Sequence, residues 1–352
     1  MNEHTEKIQN GNIFIWVICT VLLYNIIICT RYWFTGFWIN DFQLYQFAFT
    51  YQDCGFITRG LIPSITSFFN LKPLVFLYIL CNIFIGFYTY LICYIVNIYN
   101  IKDKTLFLIS FLFLFFGIPH FALDALRLDI ILQVLCLLVF ILLHRNKFFI
   151  AISISILGLF VHEGIYFLLV PIFFLKMDFK NKWVFSTLLS LTFLSIVFFA
   201  NKITKEQAIH LAYEKVQMTE VPETYYIPQV SSAKDNALHV FKTYKMHYAF
   251  FYLTIYLLVL FISFKKLFSK PFLEFKWLFL FPLLICLIAA DWFRWICFVY
   301  FLSMLYCLKY DMFSLKTFKI FLFTTILLGI PLGITIKYGI IPTLIHFISK
   351  IL

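Results

Sequence analysis

Apolar residues run along this chain in windows of ~20 positions separated by short polar breaks, the pattern of helices that cross a bilayer. The windows fall at 12–30, 73–97, 105–118, 128–143, 148–161, 164–176, 183–200, 248–264, 273–290, 293–308 and 317–337. The stretch 342–352 reads as a short amphipathic end lying against the membrane surface. The predicted fold is all-α, a polytopic integral membrane protein with about 11 transmembrane helices in a single transmembrane domain over 1–352. Two segments stand outside the spans: 31–72, a first outer loop, and 201–247, a large outer loop. Within the first, residues 56–69 are expected to form an amphipathic helix on the outer face.

Several windows are short. Fourteen residues of helix rise about 21 Å, against a hydrocarbon core of about 30 Å. The run 148–176 is therefore either one long helix centred on His162-Glu163 or a hairpin of two short ones. Charge balance separates these. With the N-terminus inside and a hairpin at 148–176, the inner loops hold Lys102, Lys104, Arg145, Lys147, Lys176, Lys180, Lys182, Lys265, Lys266, Lys270 and Lys276. A single helix would turn the lysines of 265–276 and 309–319 outward, against the inside bias of basic residues. The hairpin is the expectation, with Gly164 suited to its tight turn.

Composition agrees: 63% of residues are hydrophobic and only 13% charged, about half the charged share of a soluble domain. The net charge of +11 is then accounted for by lysines flanking spans, so nucleic acid is not an expected partner. Of the nine cysteines, only Cys54 lies in a polar loop, and no CxxC or Cys/His metal spacing occurs. The polar start MNEHTEKIQNGN leads into apolar sequence with no small-residue cleavage site, which reads as a retained first span.

Against that background the ionisable residues matter most. A glutamate inside an apolar run costs several kcal/mol, roughly, unless paired, protonated or facing a wet cavity. In the hairpin topology Asp41, Asp53, Arg59, Asp124, Arg127, Asp129, His162, Glu163, Asp291 and Arg294 all fall at outer ends of spans. Short hairpins would leave their tips below the outer surface, in a polar cavity with the 201–247 loop over its mouth.

Each group has a structural and a functional reading. Asp124 and Arg127 are three apart, so on a helix they pair; the pair either braces a short helix or presents Arg127 as an anion clamp. With Asp129 beside them, two acids around one arginine need a further cation, a metal or a proton. Asp291 and Arg294, flanked by tryptophans, are either an interfacial cap or part of the anion site, with Arg294 packed on an aromatic ring. Arg59 near a helix N-terminus makes a phosphate site, and Asp41 and Asp53 are loop acids close above the membrane. His162 and Glu163 either bond across the hairpin for packing or supply a general base, the Glu163 carboxyl raised by burial. HExxH and P-loop signatures are absent, which leaves zinc proteolysis and nucleotide hydrolysis unsupported. The 201–247 loop, with Tyr213, Tyr225, Tyr226 and Tyr244, is either a lid that stacks on sugars or a solvated excursion.

Arginines and acids at the outer leaflet suit a substrate that is anionic at one end and lipid at the other, such as a polyprenyl-phosphate-linked sugar. On Asp41, Asp53 and Arg59, on Asp124 and Arg127, on His162-Glu163 and on Asp291 with Arg294, the layout resembles bacterial O-antigen polymerases and, more broadly, the GT-C class of membrane glycosyltransferases. The resemblance covers the whole topology and rests on loose motifs. The outer loop is modest in size and lacks a repeated arginine motif, so polymerisation and single-sugar transfer both stay open.

The resemblance implies glycosyl transfer at the outer face of the bacterial cytoplasmic (inner) membrane, in O-antigen, lipopolysaccharide or other surface polysaccharide biosynthesis. It implies Glu163, Asp53, Asp41 and His162 as catalytic candidates, with Arg59, Asp124, Arg127, Asp129, Asp291 and Arg294 binding substrate. The donor would be a lipid-linked oligosaccharide carried on undecaprenyl pyrophosphate. Membrane lipid and a chain-length regulator protein are the other expected partners. No cofactor is expected; a divalent metal stays open and no ligand spacing indicates one. The rival class is a transporter or flippase of a lipid-linked or anionic solute, which calls for charges along a path through both leaflets. A structural subunit without chemistry would not need so many outer ionisable residues.

Overall fold

A computed structural model describes residues 10–35, 41–99, 101, 103–124, 127–176, 179–218, 230, 246–263, 281, 284, 292–310, 313–332, 335–337 and 340–343. These are helical apart from loops and one short hairpin. The helices are α1 (Asn10–Thr35), α2 (Asp41–Phe47), α3 (Tyr51–Cys54), α4 (Leu61–Phe68), α5 (Pro73–Ile98), α6 (Lys104–Phe113), α7 (Ile118–Leu123) and α8 (Asp129–His144). They continue as α9 (Phe148–Val161), α10 (Tyr166–Lys176), α11 (Phe179–Phe199), α12 (Lys205–Val216), α13 (Met246–Ser263), α14 (Trp292–Tyr310) and α15 (Leu315–Leu328). Strands β1 (Ile330–Leu332) and β2 (Thr335–Lys337) pair antiparallel.

Among the described residues four helical stretches are long and apolar enough to cross a membrane: Asn12–Phe34, Pro73–Ile98, Lys104–Leu123 (α6 with α7) and Asn181–Phe199. Shorter apolar helices accompany them at Asp129–His144, Phe148–Val161, Phe251–Ser263 and Arg294–Leu308. Helix length thus shows a membrane-embedded protein without reproducing the expected count of spans; 273–290 lies mostly outside the described residues. Only 17% of the apolar window is buried in α1 and in α11, so these two turn most of their surface outward, toward lipid. Polar side chains join α1 to α5 where apolar contact alone would not select a partner. The Thr20 and Thr89 hydroxyls are 2.8 Å apart, and Asn25 Nδ2 donates to Asn82 Oδ1 at 2.7 Å.

Two expected helices are interrupted. The window 105–118 breaks between α6 and α7, where Gly117 and Pro119 interrupt an otherwise apolar run. The window 317–337 ends at Leu328, because Gly329 at φ 94° leads into the β1–β2 hairpin.

The run 148–176 is a hairpin. At its closed end the Tyr166 ring stacks on Phe193, centroids 4.5 Å apart, and the Tyr166 hydroxyl meets Ser190 Oγ at 2.7 Å. At its open end, Phe148 of α9 and Phe173 of α10 both pack on Phe185 of α11. Lys176 brings its ammonium over the rings of Tyr99 and Phe140, each at 4.4 Å, so α10 returns to the level at which α5 and α8 finish. The bundle therefore has two unlike ends. One carries His144, Arg145, Lys147, Lys176 and Lys182; the other gathers the residues described next.

Over that second end sits a small separate core of Tyr45, Ala48, Phe49, Ile57, Ile203, Ala208 and Ala212. It joins the 31–72 segment to α12, in the 201–247 segment. Of the latter, 219–229 and 231–245 fall outside the described residues. A capping box sets the start of α12, with Thr204 Oγ1 accepting from Gln207 N and Gln207 Oε1 accepting from Thr204 N. The expected amphipathic helix at 56–69 is shorter than its window, α4 alone, and Arg59 precedes it.

Candidate functional site

The hairpin tip starts where α9 ends. His162 is extended at φ −163°, and Glu163–Ile165 form one 3-10 turn before α10. Gly164 is required there by space: an added Cβ would sit 2.6 Å from Trp295 Cη2. Gly164→Ala is expected to shift the tip off Trp295 and cost about 1–3 kcal/mol, read as lost resistance to SDS unfolding.

Glu163 faces Arg59. Arg59 Nε donates to Glu163 Oε1 at 3.0 Å and Oε2 at 2.9 Å, and Nη2 also meets Oε1. Both side chains are 15% exposed. Arg59 reaches the tip from a left-handed backbone, φ 58°, which costs a residue with a Cβ about 1–2 kcal/mol in strain. Gly60 follows because the Tyr51 ring lies 2.4 Å from where its Cβ would be. Burial alone would raise the Glu163 carboxyl, as the sequence leads one to expect. The Arg59 guanidinium outweighs it and holds this interhelical acid below the ordinary carboxylate range.

A second ion pair lies deeper. Arg294 Nε donates to Asp129 Oδ1 at 2.8 Å and Oδ2 at 2.6 Å, with Asp129 1% and Arg294 7% exposed. The cation that Asp129 meets is therefore Arg294, 165 positions away in sequence, with Arg127 paired to Asp124 instead. The Arg294 guanidinium also lies 5.4 Å from the Trp295 ring centroid, the aromatic packing expected for it.

Two histidines flank this pair. His162 Nδ1 accepts from Gly164 N–H at 3.0 Å, while Nε2 lies 3.4 Å from Arg294 Nη2. A neutral imidazole accepts at one nitrogen, so His162 serves Gly164 or Arg294 but not both. His120 Nε2 is 3.8 Å from Asp129 Oδ2, and its Nδ1 is 3.8 Å from Cys297 Sγ. The result is a connected run of groups from Cys297 through His120, Asp129, Arg294 and His162 to Glu163 and Arg59.

Asp124 and Arg127 do pair, Nε to Oδ2 at 2.9 Å, but across the turn between α7 and α8 and not along one helix. Arg31, at the end of α1, donates to the Leu123 carbonyl at 2.7 Å beside them. Lys202 stands at the opposite edge, where its ammonium interacts with both Glu163 and Arg59; half-burial and Arg59 lower its pKa while Glu163 opposes them. Sequence reading passed over Arg31, Lys202 and His120 because each looks ordinary locally: a span end, a loop lysine, and a histidine beside Pro119.

Asp53 is engaged elsewhere. Thr50 Oγ1 donates to Asp53 Oδ2 at 2.6 Å and accepts from its backbone N–H at 3.1 Å, and Lys215 Nζ is 3.3 Å from Oδ1. Asp53 thus ties α3 to α12 beside the small core. Asp41 begins α2, with its side chain outside the described residues, as is Asp291 altogether. Among the described residues no group of three or more His, Cys, Asp or Glu has the arrangement to hold a metal ion.

Within the cluster itself, apart from the small core over it, the described side chains of Arg31, Arg59, Arg127, Arg294 and Lys202 stand against Asp124, Asp129 and Glu163. Even with the histidines left out of that count, the cluster carries a positive excess and suits an anion. Comparison with protein-family models, curated proteins and solved structures finds no match to the chain.

Proposed function

We propose that the protein is a membrane glycosyltransferase acting on polyprenyl-(pyro)phosphate-linked sugars at the outer face of a bacterial cytoplasmic membrane, and that it polymerises a surface polysaccharide such as O-antigen. The observation that carries this reading is the meeting of Arg59, from the first outer loop, with Glu163 at a hairpin tip, inside a cluster with surplus positive charge. Arg59 and Lys202 would take the phosphate of the donor, whose lipid tail leaves between the spans. Glu163 would then accept the proton of an acceptor hydroxyl as that oxygen bonds to the anomeric carbon and the lipid phosphate departs. Asp129, Arg294 and His120 would position His162 and the tip; Asp124 with Arg127 would line the phosphate side.

The opposite end, with Arg145, Lys147, Lys176 and Lys182, is assigned to the cytoplasm by the inside bias of basic residues. Between the two ends, the middles of the described spanning helices carry no Asp, Glu, Lys or Arg. That favours one-sided access over a transport path through both leaflets.

The test is Glu163→Gln expressed at normal level in the native host, with surface polysaccharide resolved by gel. Collapse of the ladder to one repeat unit on its lipid anchor is the expected result. An unchanged ladder removes Glu163 from the site and the polymerase reading with it.

A further inference from the structure

We propose that Glu163 is an internal anion occupying the phosphate seat on Arg59, so that binding a phosphate or pyrophosphate group displaces the carboxylate and frees it to act as a base. This rests on the reading of this end as an anion site, and adds to it an order of events. The geometry carries it. Both Glu163 oxygens lie on the Arg59 guanidinium, the two-pronged fit by which arginine also takes phosphate. A carboxylate held that way is stabilised in its charged form and is a poor base toward a substrate proton. Neither partner is sealed in: each is 15% exposed, and Glu163 belongs to a single 3-10 turn between helices. Lys202 beside the pair is a second cation on which an arriving anion can gain contact before the clamp opens.

The same arrangement explains why a base and an arginine clamp occupy one spot, Glu163 being the acid that pairs with Arg59 among the described residues. Before substrate arrives Glu163 neutralises Arg59; afterwards the phosphate does. Transfer is thereby denied to an empty site, because the base is released only when the anionic donor is seated.

The consequence runs against ordinary expectation for a site residue. Removing the Glu163 charge removes a competitor, so Glu163→Gln is expected to bind anions more tightly while losing transfer. The probes are inorganic pyrophosphate and farnesyl pyrophosphate, titrated by calorimetry into protein held in zwitterionic lipid nanodiscs. Glu163→Gln is expected to tighten farnesyl pyrophosphate binding about tenfold over the unmodified protein, the worth of one charged contact. The double variant Arg59→Ala with Glu163→Gln is expected to lose that gain, which separates this seat from the basic end of the bundle. Lys202→Gln, which leaves the Arg59–Glu163 pair in place, is expected to weaken binding several-fold. Comparable tightening for inorganic pyrophosphate assigns the gain to the phosphate itself; tightening confined to the farnesyl probe assigns it to a lipid-linked group, and either supports the displaced-anion mechanism. Equal or weaker binding by Glu163→Gln, with the unmodified protein binding normally, overturns the mechanism and leaves the anion site standing. Absence of binding by both proteins overturns the anion site too.

Discussion

Asp129→Ala is expected to destabilise the protein by about 3–5 kcal/mol, because it removes the carboxylate that pairs with Arg294 in a buried place. Asp129 is 1% exposed and takes two hydrogen bonds from Arg294 Nε. That carboxylate meets the Arg294 guanidinium directly and offsets much of the cost of desolvating it. The histidines close by do not replace it, since neither carries negative charge. The double variant Asp129→Leu with Arg294→Met tests the cause. Replacing both members of a buried pair with apolar residues of similar size is commonly near neutral for stability, so the double is expected to recover most of the loss. It is still expected to be inactive, because His162 loses the neighbour that fixes the tip. SDS-induced unfolding, followed by dye labelling of the buried thiols of Cys136, Cys297 and Cys307, measures both variants. A double variant as unstable as the single would mean that hydrogen bonding, and not charge compensation, carries the pair.

Much of this arrangement can be read from apolar windows and the placement of charge. The hairpin at 148–176 follows from keeping lysines on one side, and the positions of Lys176 and Tyr166 agree with it. His162, Glu163, Arg59, Asp129 and Arg294 were recognisable as a group because ionisable residues at the ends of short spans have few places to go. What could not be read is which acid meets which arginine. Local spacing favours Asp124 with Arg127, which does form, and would give Arg294 to the nearby Asp291. Asp129 with Arg294 and Glu163 with Arg59 span 165 and 104 positions, and no periodicity encodes such distances. The state of Glu163 was misjudged for the same reason: burial is visible in an apolar run, whereas an arginine arriving from another loop is not. Asp53 looked like a free loop acid until α12 was folded back onto it.

Gly117→Ala is expected to cost about 3 kcal/mol and to disturb the site from a distance. At the break between α6 and α7 an added Cβ would fall 2.4 Å from the Leu112 carbonyl oxygen and 2.6 Å from that of Phe111. Both are backbone atoms, so no side chain can swing aside. The neighbours cannot yield either: Phe115 lies edge-on to Tyr300 with centroids 4.7 Å apart, and Phe116 stacks on the same ring at 6.0 Å. The displacement must therefore pass into α7, which carries His120 to within 3.8 Å of Asp129. Gly158→Ala is the matching control. There the close neighbour is Ile165 Cδ1 at 2.9 Å, the end of a flexible side chain. The helix gain from alanine, about 1 kcal/mol, offsets most of that crowding. In the unfolding measurement Gly158→Ala is expected near the parent and Gly117→Ala well below it. Equal stability of the two would mean that the break relaxes freely and that α7 takes its position from the Asp129 network, with the glycine following.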